Sequence, residues 1–282
     1  MTNDIEMAMT NDIEVDLRDD PQLLGDQIRK IILVQSKRAG VGHIGSALSV
    51  ADMVGAVHRV LGNQEASDQD RHRFVMSKGH AALALYAALS LSGSLSDDDL
   101  DSYCADGSLL GVHPDHHLAG VDVSTGSLGQ GLSVAVGFAL AARLAGSERR
   151  TIALVSDAEC NEGSIWEAAM LASHHRLGNL TVLIDHNHQQ AFGYTADVLD
   201  SEAMADRWHA FGWNVSDVDG HDELAMATCL ANTSASGQPR ALVAETTFGS
   251  GVSFMERQIK WHYLPMSDDD FAAALECLAH PA

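Results

Sequence analysis

Basic side chains are scarce: 17 Lys and Arg stand against 39 Asp and Glu in 282 residues, a formal net charge of −22. Such a chain is repelled by phosphate backbones and by anionic lipid surfaces, which argues against nucleic acid or a membrane as partner. Any anion it holds must be met by backbone amides, histidines and a metal. Cysteine is sparse too, with Cys104, Cys160, Cys229 and Cys277 far apart and no CxxC pair. That spacing fits free thiols in a reducing cytosol and no disulfide framework. No apolar run reaches membrane length, and the acidic N-terminus is unlike a secretory signal, so a cytoplasmic location is expected. No linker rich in Pro, Gly or Ser divides the chain.

What is present suffices for a full core, since 46% of the residues are apolar. The segment "MTNDIE" occurs at residues 1–6 and again at 9–14. Residues 1–20 read as a duplicated start outside the fold, leaving one domain over 21–282. Helical periodicity covers 22–38, 49–61 and 80–91, with a short strand expected at "RHRFVMS" (71–77). The acid-rich "SLSDDDLD" and "SDDD" read as solvated helix starts. Residues 103–124 are irregular.

After "TGSLGQG" and a helix over 132–146 the pattern alternates. Strands are expected at 151–156, 180–185, 213–218 and 241–246, separated by helices at 164–175, 201–212 and 223–234. Such alternation predicts an α/β fold: a doubly wound parallel sheet with helices on both faces. Ligands of these sheets bind beyond the carboxyl ends of the strands.

At one such end stands "SDAECNEGS", Ser156 to Ser164. The strand before it ends at Asp157, and the next ends just before Asn187. Consecutive strands of a right-handed βαβ unit usually neighbour one another. Asp157 and Asn187 should therefore emerge at one edge, where a carboxylate, an amide oxygen and a backbone carbonyl suit Mg²⁺. The helix starting near Gly163 can turn its positive end to the same anion. A plain strand-to-helix turn with capping residues is the alternative reading.

"SDAECNEG", followed thirty positions after Asp157 by Asn187, resembles the thiamine-diphosphate fingerprint. "GHIGSALSVAD", "SKGHAALALYAAL", "TGSLGQGLSVAVGFALA", "NEGSIWEAAMLASHHRLGNLTVLIDHN" and "GVSFME…WH" follow the order of the diphosphate-binding half of transketolases, over about residues 20 to 265. That resemblance implies thiamine diphosphate with Mg²⁺ (or Ca²⁺), the metal held by Asp157, Asn187 and the Gln189 carbonyl. It sets the Ala158 amide, His80 and His262 against the diphosphate, and Gly126 and Leu128 under the aminopyrimidine. His43 and His113 would face the donor sugar and handle hydroxyl protons. Glu162 would stand at an interface, communicating with the partner's catalytic glutamate.

The sequence also departs from the family. Ser156-Asp157-Ala158 replaces GDG, Ala191 and Phe192 replace residues beside the thiazolium, and "GVHPDHH" carries extra histidines without an assigned role. The chain ends at Ala282 before any pyrimidine-binding domain. The resemblance then implies half of a split enzyme, an α₂β₂ hetero-oligomer in which a second polypeptide supplies the glutamate. The expected reaction moves a two-carbon ketol unit from a ketose donor to an acceptor. Two alternatives stand beside it: transfer to a lipoyl or carrier-protein thiol, and a noncatalytic scaffold with the same fold. Other readings are weaker. Zinc at "HPDHH" lacks a second cluster, "DHNH" is nuclease-like only on a surface of the wrong charge, and Cys160 has no adjacent base. "GSLGQG" has the wrong glycine order for a nicotinamide site, and the small residues Ser133, Ala135, Gly137 and Ala139 after it suggest a helix–helix interface.

Overall fold

The computed structural model describes residues 24–62, 71–199, 203–232 and 237–280. The tail expected over 1–20 and the start of the helix expected at 201 lie outside them. The elements run in this order: α1 (Leu24–Ala39), α2 (Ile44–Ser49), α3 (Ala51–Leu61), β1 (Arg73–Met76), α4 (Ala82–Leu91), α5 (Asp97–Leu100), α6 (Gln130–Leu144), β2 (Thr151–Ser156), α7 (Gly163–His174) and β3 (Leu180–His186). A hairpin of β4 (Gln189–Gln190) and β5 (Gly193–Tyr194) follows. Then come α8 (Thr195–Val198), α9 (Met204–Ala210), β6 (Asn214–Asp219), α10 (Glu223–Ala231), β7 (Arg240–Glu245), α11 (Lys260–Tyr263) and α12 (Asp268–Ala279).

Five strands form one parallel sheet in the order β1-β2-β3-β7-β6. Central strands β2 and β3 are buried at every residue, as strands covered on both faces must be. Their alternation divides the core. Ile152, Leu154 and Leu183 pack with α1, α3, α4 and α10, while Ala153, Val155, Val182 and Ile184 pack with α6, α7 and α9. The predicted doubly wound α/β architecture is therefore present.

Local chemistry explains the helix ends. Ser267 caps α12 with a reciprocal bond from Asp270, and Ser96 caps α5, so both acid runs open helices as expected. The irregular reading of 103–124 holds as well, for the segment contains only turns and bends. Two features differ. The helix expected over 49–61 starts at Ala51 and is preceded by the separate α2, because Val50 leaves the helical region between them. On α6, Ala135 and Ala139 are buried as an interface requires, but Ser133 and Gly137 face outward, and nothing lies within 4 Å of a Cβ at Gly137.

Candidate functional site

The parallel register pairs Ser156 of β2 with Asp185 of β3. Asp157 therefore leaves the sheet beside the turn carrying Asn187, and its N–H donates to the Asp185 carbonyl at 3.1 Å. That turn wraps the Asp157 carboxylate: the His188 N–H donates to Oδ2 at 2.8 Å, and the Ala158 N–H to Oδ1 at 2.7 Å. The Asn187 amide NH₂ donates to Asp185 and Ser49, which turns its Oδ1 the other way, where it accepts from Gln189 N–H at 2.9 Å. Gln189 Oε1 is buried without a hydrogen-bond partner among the described residues. Asp157, Asn187 and Gln189 are thus brought together.

Asp157 is fully buried, and no cationic side chain bonds to it among the described residues. Burial, and then the negative charge of Asp185, push its carboxyl up to about 7. A hard divalent cation is the group that would relieve that cost. The buried acid and the oriented amide oxygen fit Mg²⁺, which keeps open positions for phosphate and water.

Asp185, one strand over, is satisfied. It forms a buried ion pair with Lys78 and accepts hydroxyl bonds from Ser49 and Thr246. Lys78 reaches it from the turn after β1, where its N–H donates to the Leu154 carbonyl at 3.0 Å. Behind β2, buried Glu159 accepts from Ser77 Oγ and from the Gly129 and Ser156 N–H groups. Sequence reasoning missed Lys78, Asp185 and Glu159. The usable signal was a lysine and an aspartate inside apolar runs, since opposite charges in such places need each other.

Three imidazoles gather next to Lys78. His43 and His262 have ring centroids 5.0 Å apart, and His80 lies 5.6 Å from each. Two glycines permit this closeness: a Cβ on Gly42 would stand 2.4 Å from the Tyr263 carbonyl, and one on Gly79 would stand 2.9 Å from the Gly126 nitrogen. The His43 N–H donates to the His262 carbonyl at 3.1 Å, while His43 Nδ1 is buried with no hydrogen-bond partner among the described residues. Burial first, and neighbouring positive charge second, hold His43 and His80 below the ordinary histidine range and His262 down to about 4. The rings are therefore neutral near pH 7 and can give or take hydroxyl protons.

His113 is exposed, and its ring would lie 3.0 Å from a Cβ on Gly126, so Gly126 and His113 share one wall. Leu128 is exposed, and a Cβ on Gly129 would meet Glu162 at 2.7 Å, which places Leu128 and Glu162 together at the surface. The departures from the fingerprint have local explanations. Ala158 has φ −64° and ψ −35°, a conformation any L-residue adopts. Ser156 Oγ accepts from the Glu159 N–H at 3.1 Å and caps the turn. Phe192 projects into solvent at 84% exposure. Cys160 is buried, which raises its thiol and fits the spacer reading. The Ala158 N–H, assigned by resemblance to the diphosphate, here serves Asp157.

Comparison with known proteins bears on the same geometry. Residues 21–280 match the family model for "Transketolase, thiamine diphosphate binding domain". The chain belongs to the transketolase thiamine-diphosphate-binding family. It is 38% identical over 262 residues to a 6-deoxy-6-sulfo-D-fructose transketolase subunit of a Clostridium species, covering 91% of this chain and 95% of that one. It is 39% identical to an apulose-4-phosphate transketolase subunit from Phocaeicola vulgatus, covering 86% and 88%. The solved Campylobacter jejuni transketolase superposes with a TM-score of 0.84 at 30% identity, over 92% of this chain and 43% of that one. This chain thus spans under half of that transketolase but nearly all of the subunit-type relatives. No helix among the described residues is long and apolar enough to cross a membrane.

Proposed function

We propose that residues 21–282 are the diphosphate-binding subunit of a two-component, thiamine-diphosphate-dependent transketolase-like enzyme. It moves a two-carbon ketol unit from a ketose donor to an acceptor. The observation that carries this is the buried Asp157 carboxylate, which meets no cationic side chain among the described residues and is held by the His188 N–H of the turn that carries Asn187 and Gln189. Asp157, Asn187 and the Gln189 carbonyl would hold Mg²⁺ (or Ca²⁺), whose charge would meet the diphosphate. When bound, thiamine diphosphate supplies the carbanion chemistry that breaks the carbon–carbon bond next to the ketone. The chain's residues do the rest. His80 and His262, uncharged, line the diphosphate side; the Ala158 amide turns to the anion; Gly126 and Leu128 support the pyrimidine. His43 and His113 hold donor hydroxyls and move their protons, a task that imidazoles neutral near pH 7 can perform.

Glu162 stands at the surface beside Leu128, where a second polypeptide bearing a pyrimidine domain completes the site in an α₂β₂ assembly. Exposed Val134 on α6, and Met170 and Leu171 on α7, supply apolar area for that contact. The names of the relatives favour ketol transfer to a small acceptor over a lipoyl or carrier-protein thiol, and over a scaffold. Reconstitution tests the reading. Mixed with the pyrimidine-domain polypeptide, thiamine diphosphate and Mg²⁺, the chain should cleave a ketose donor and extend an aldose, with neither polypeptide active alone. Acyl transfer only to a thiol acceptor, or no turnover with any acceptor, would overturn it.

A further inference from the structure

In "DHNH" the side chains alternate across the end of β3, as strand geometry requires. Asp185 turns to Lys78, while His186 turns to the face it shares with Glu245, its register partner on β7. His188 follows with left-handed backbone (φ 62°), a conformation uncommon outside glycine, and its ring centroid lies 4.1 Å from that of His186. His186 Nδ1 stands 2.5 Å from Glu245 Oε1, and His188 Nε2 stands 2.9 Å from Oε2. Each of the three side chains offers a ligand atom within 4.8 Å of the other two. His186 is buried, and among the described residues its Nε2 has no hydrogen-bond partner, so Nδ1 toward Glu245 is its hydrogen-bonding edge. The cleft lined by Asp217, Asp219, His221 and Arg257 also opens on Glu245, so water can reach a fourth position.

We propose that His186, His188 and Glu245 form a second cation site, for a divalent transition metal of the Zn²⁺ type, distinct from the Asp157–Asn187 site. Two imidazoles and one carboxylate match the donors such ions prefer, whereas Mg²⁺ selects oxygen ligands. Tetrahedral ligands about 2.1 Å from zinc stand about 3.4 Å apart, so the present contacts need open by only about 1 Å or less. A cation there replaces the protons that now bridge the imidazoles to Glu245. It also pins the turn whose His188 N–H holds Asp157, and so stiffens the Mg²⁺ ligand set from behind. By comparison, Asp115, His116 and His117 also lie close together, but on an exposed turn with both histidines facing solvent.

Co²⁺ alone is the probe, added to the full chain and followed by its visible ligand-field bands and by calorimetry. One Co²⁺ should bind with the intense bands of a four-coordinate nitrogen–oxygen site, and a large excess of Mg²⁺ should leave it in place. Glu245→Gln, nearly isosteric, and His188→Asn, which tolerates left-handed backbone, should each weaken Co²⁺ by about tenfold or more. The native chain failing to take up Co²⁺, Mg²⁺ displacing it, or both variants binding it unchanged would overturn the proposal. The native titration and the Mg²⁺ competition decide the matter even if a variant misfolds.

Discussion

The ends of β2 and β3 each carry a buried aspartate, and the two are treated oppositely. Asp185 is met by a lysine, two hydroxyls and an amide. Asp157 receives two backbone N–H groups and, among the described residues, no cationic side chain, and its carboxyl is pushed up to about 7. Low dielectric penalises a lone charge strongly, so one acid is complete within the chain, while the other meets no cationic side chain among the described residues, as the proposed Mg²⁺ site requires. Lys78 sets the contrast: it neutralises Asp185 while its charge helps keep His43, His80 and His262 unprotonated.

Replacing the two acids should break the comparison most visibly. Asp185→Ala leaves Lys78 buried and unpaired and should cost about 3–5 kcal/mol, read from urea unfolding. Asp157→Ala should leave the metal-free chain at least as stable as before while ending Mg²⁺-dependent cofactor binding. Equal losses of stability would erase the distinction between them. Next in size, His113→Ala should retain cofactor yet slow donor turnover in the reconstituted enzyme by about a hundredfold. Unchanged donor kinetics would remove His113 from the site.

The histidines sharpen the contrast through pH. The folded value of His262 lies at about 4, below its ordinary 6.5, so its contribution is intact above pH 6.5 and is lost as pH falls toward 4. The urea midpoint should decline across that window, and His262→Asn should flatten the decline; an equally steep variant would contradict it. The smallest effect belongs to Ala158→Gly. Because Ala158 already has right-handed backbone, restoring the family's glycine should destabilise by under about 1 kcal/mol and leave cofactor affinity unchanged, measured by melting and titration.

Much of this was legible in advance. Strand alternation and the burial of β2 and β3 follow from apolar runs such as "TIALV", and the acid-rich runs "SLSDDDLD" and "SDDD" announced α5 and α12. The Asp157–Asn187 adjacency followed from right-handed βαβ geometry alone. The short elements were hidden: α2, α11 and the hairpin after Asn187 form because long-range partners such as the His262 carbonyl and Arg257 fix them, which local periodicity cannot register. Lys78 and Asp185 were visible as residues but not as a pair, since their bond links the turn after β1 with the end of β3. The ligand set in "DHNH" is hidden for the same reason, because Glu245 enters only through the β3–β7 register.

Calorimetric titration of thiamine diphosphate into the chain with its partner polypeptide, with Mg²⁺ present and then chelated, tests the central claim most directly. The account predicts saturable binding only with the metal, and none for Asp157→Asn under either condition. Metal-independent binding, or a variant that binds as the native chain does, would contradict it.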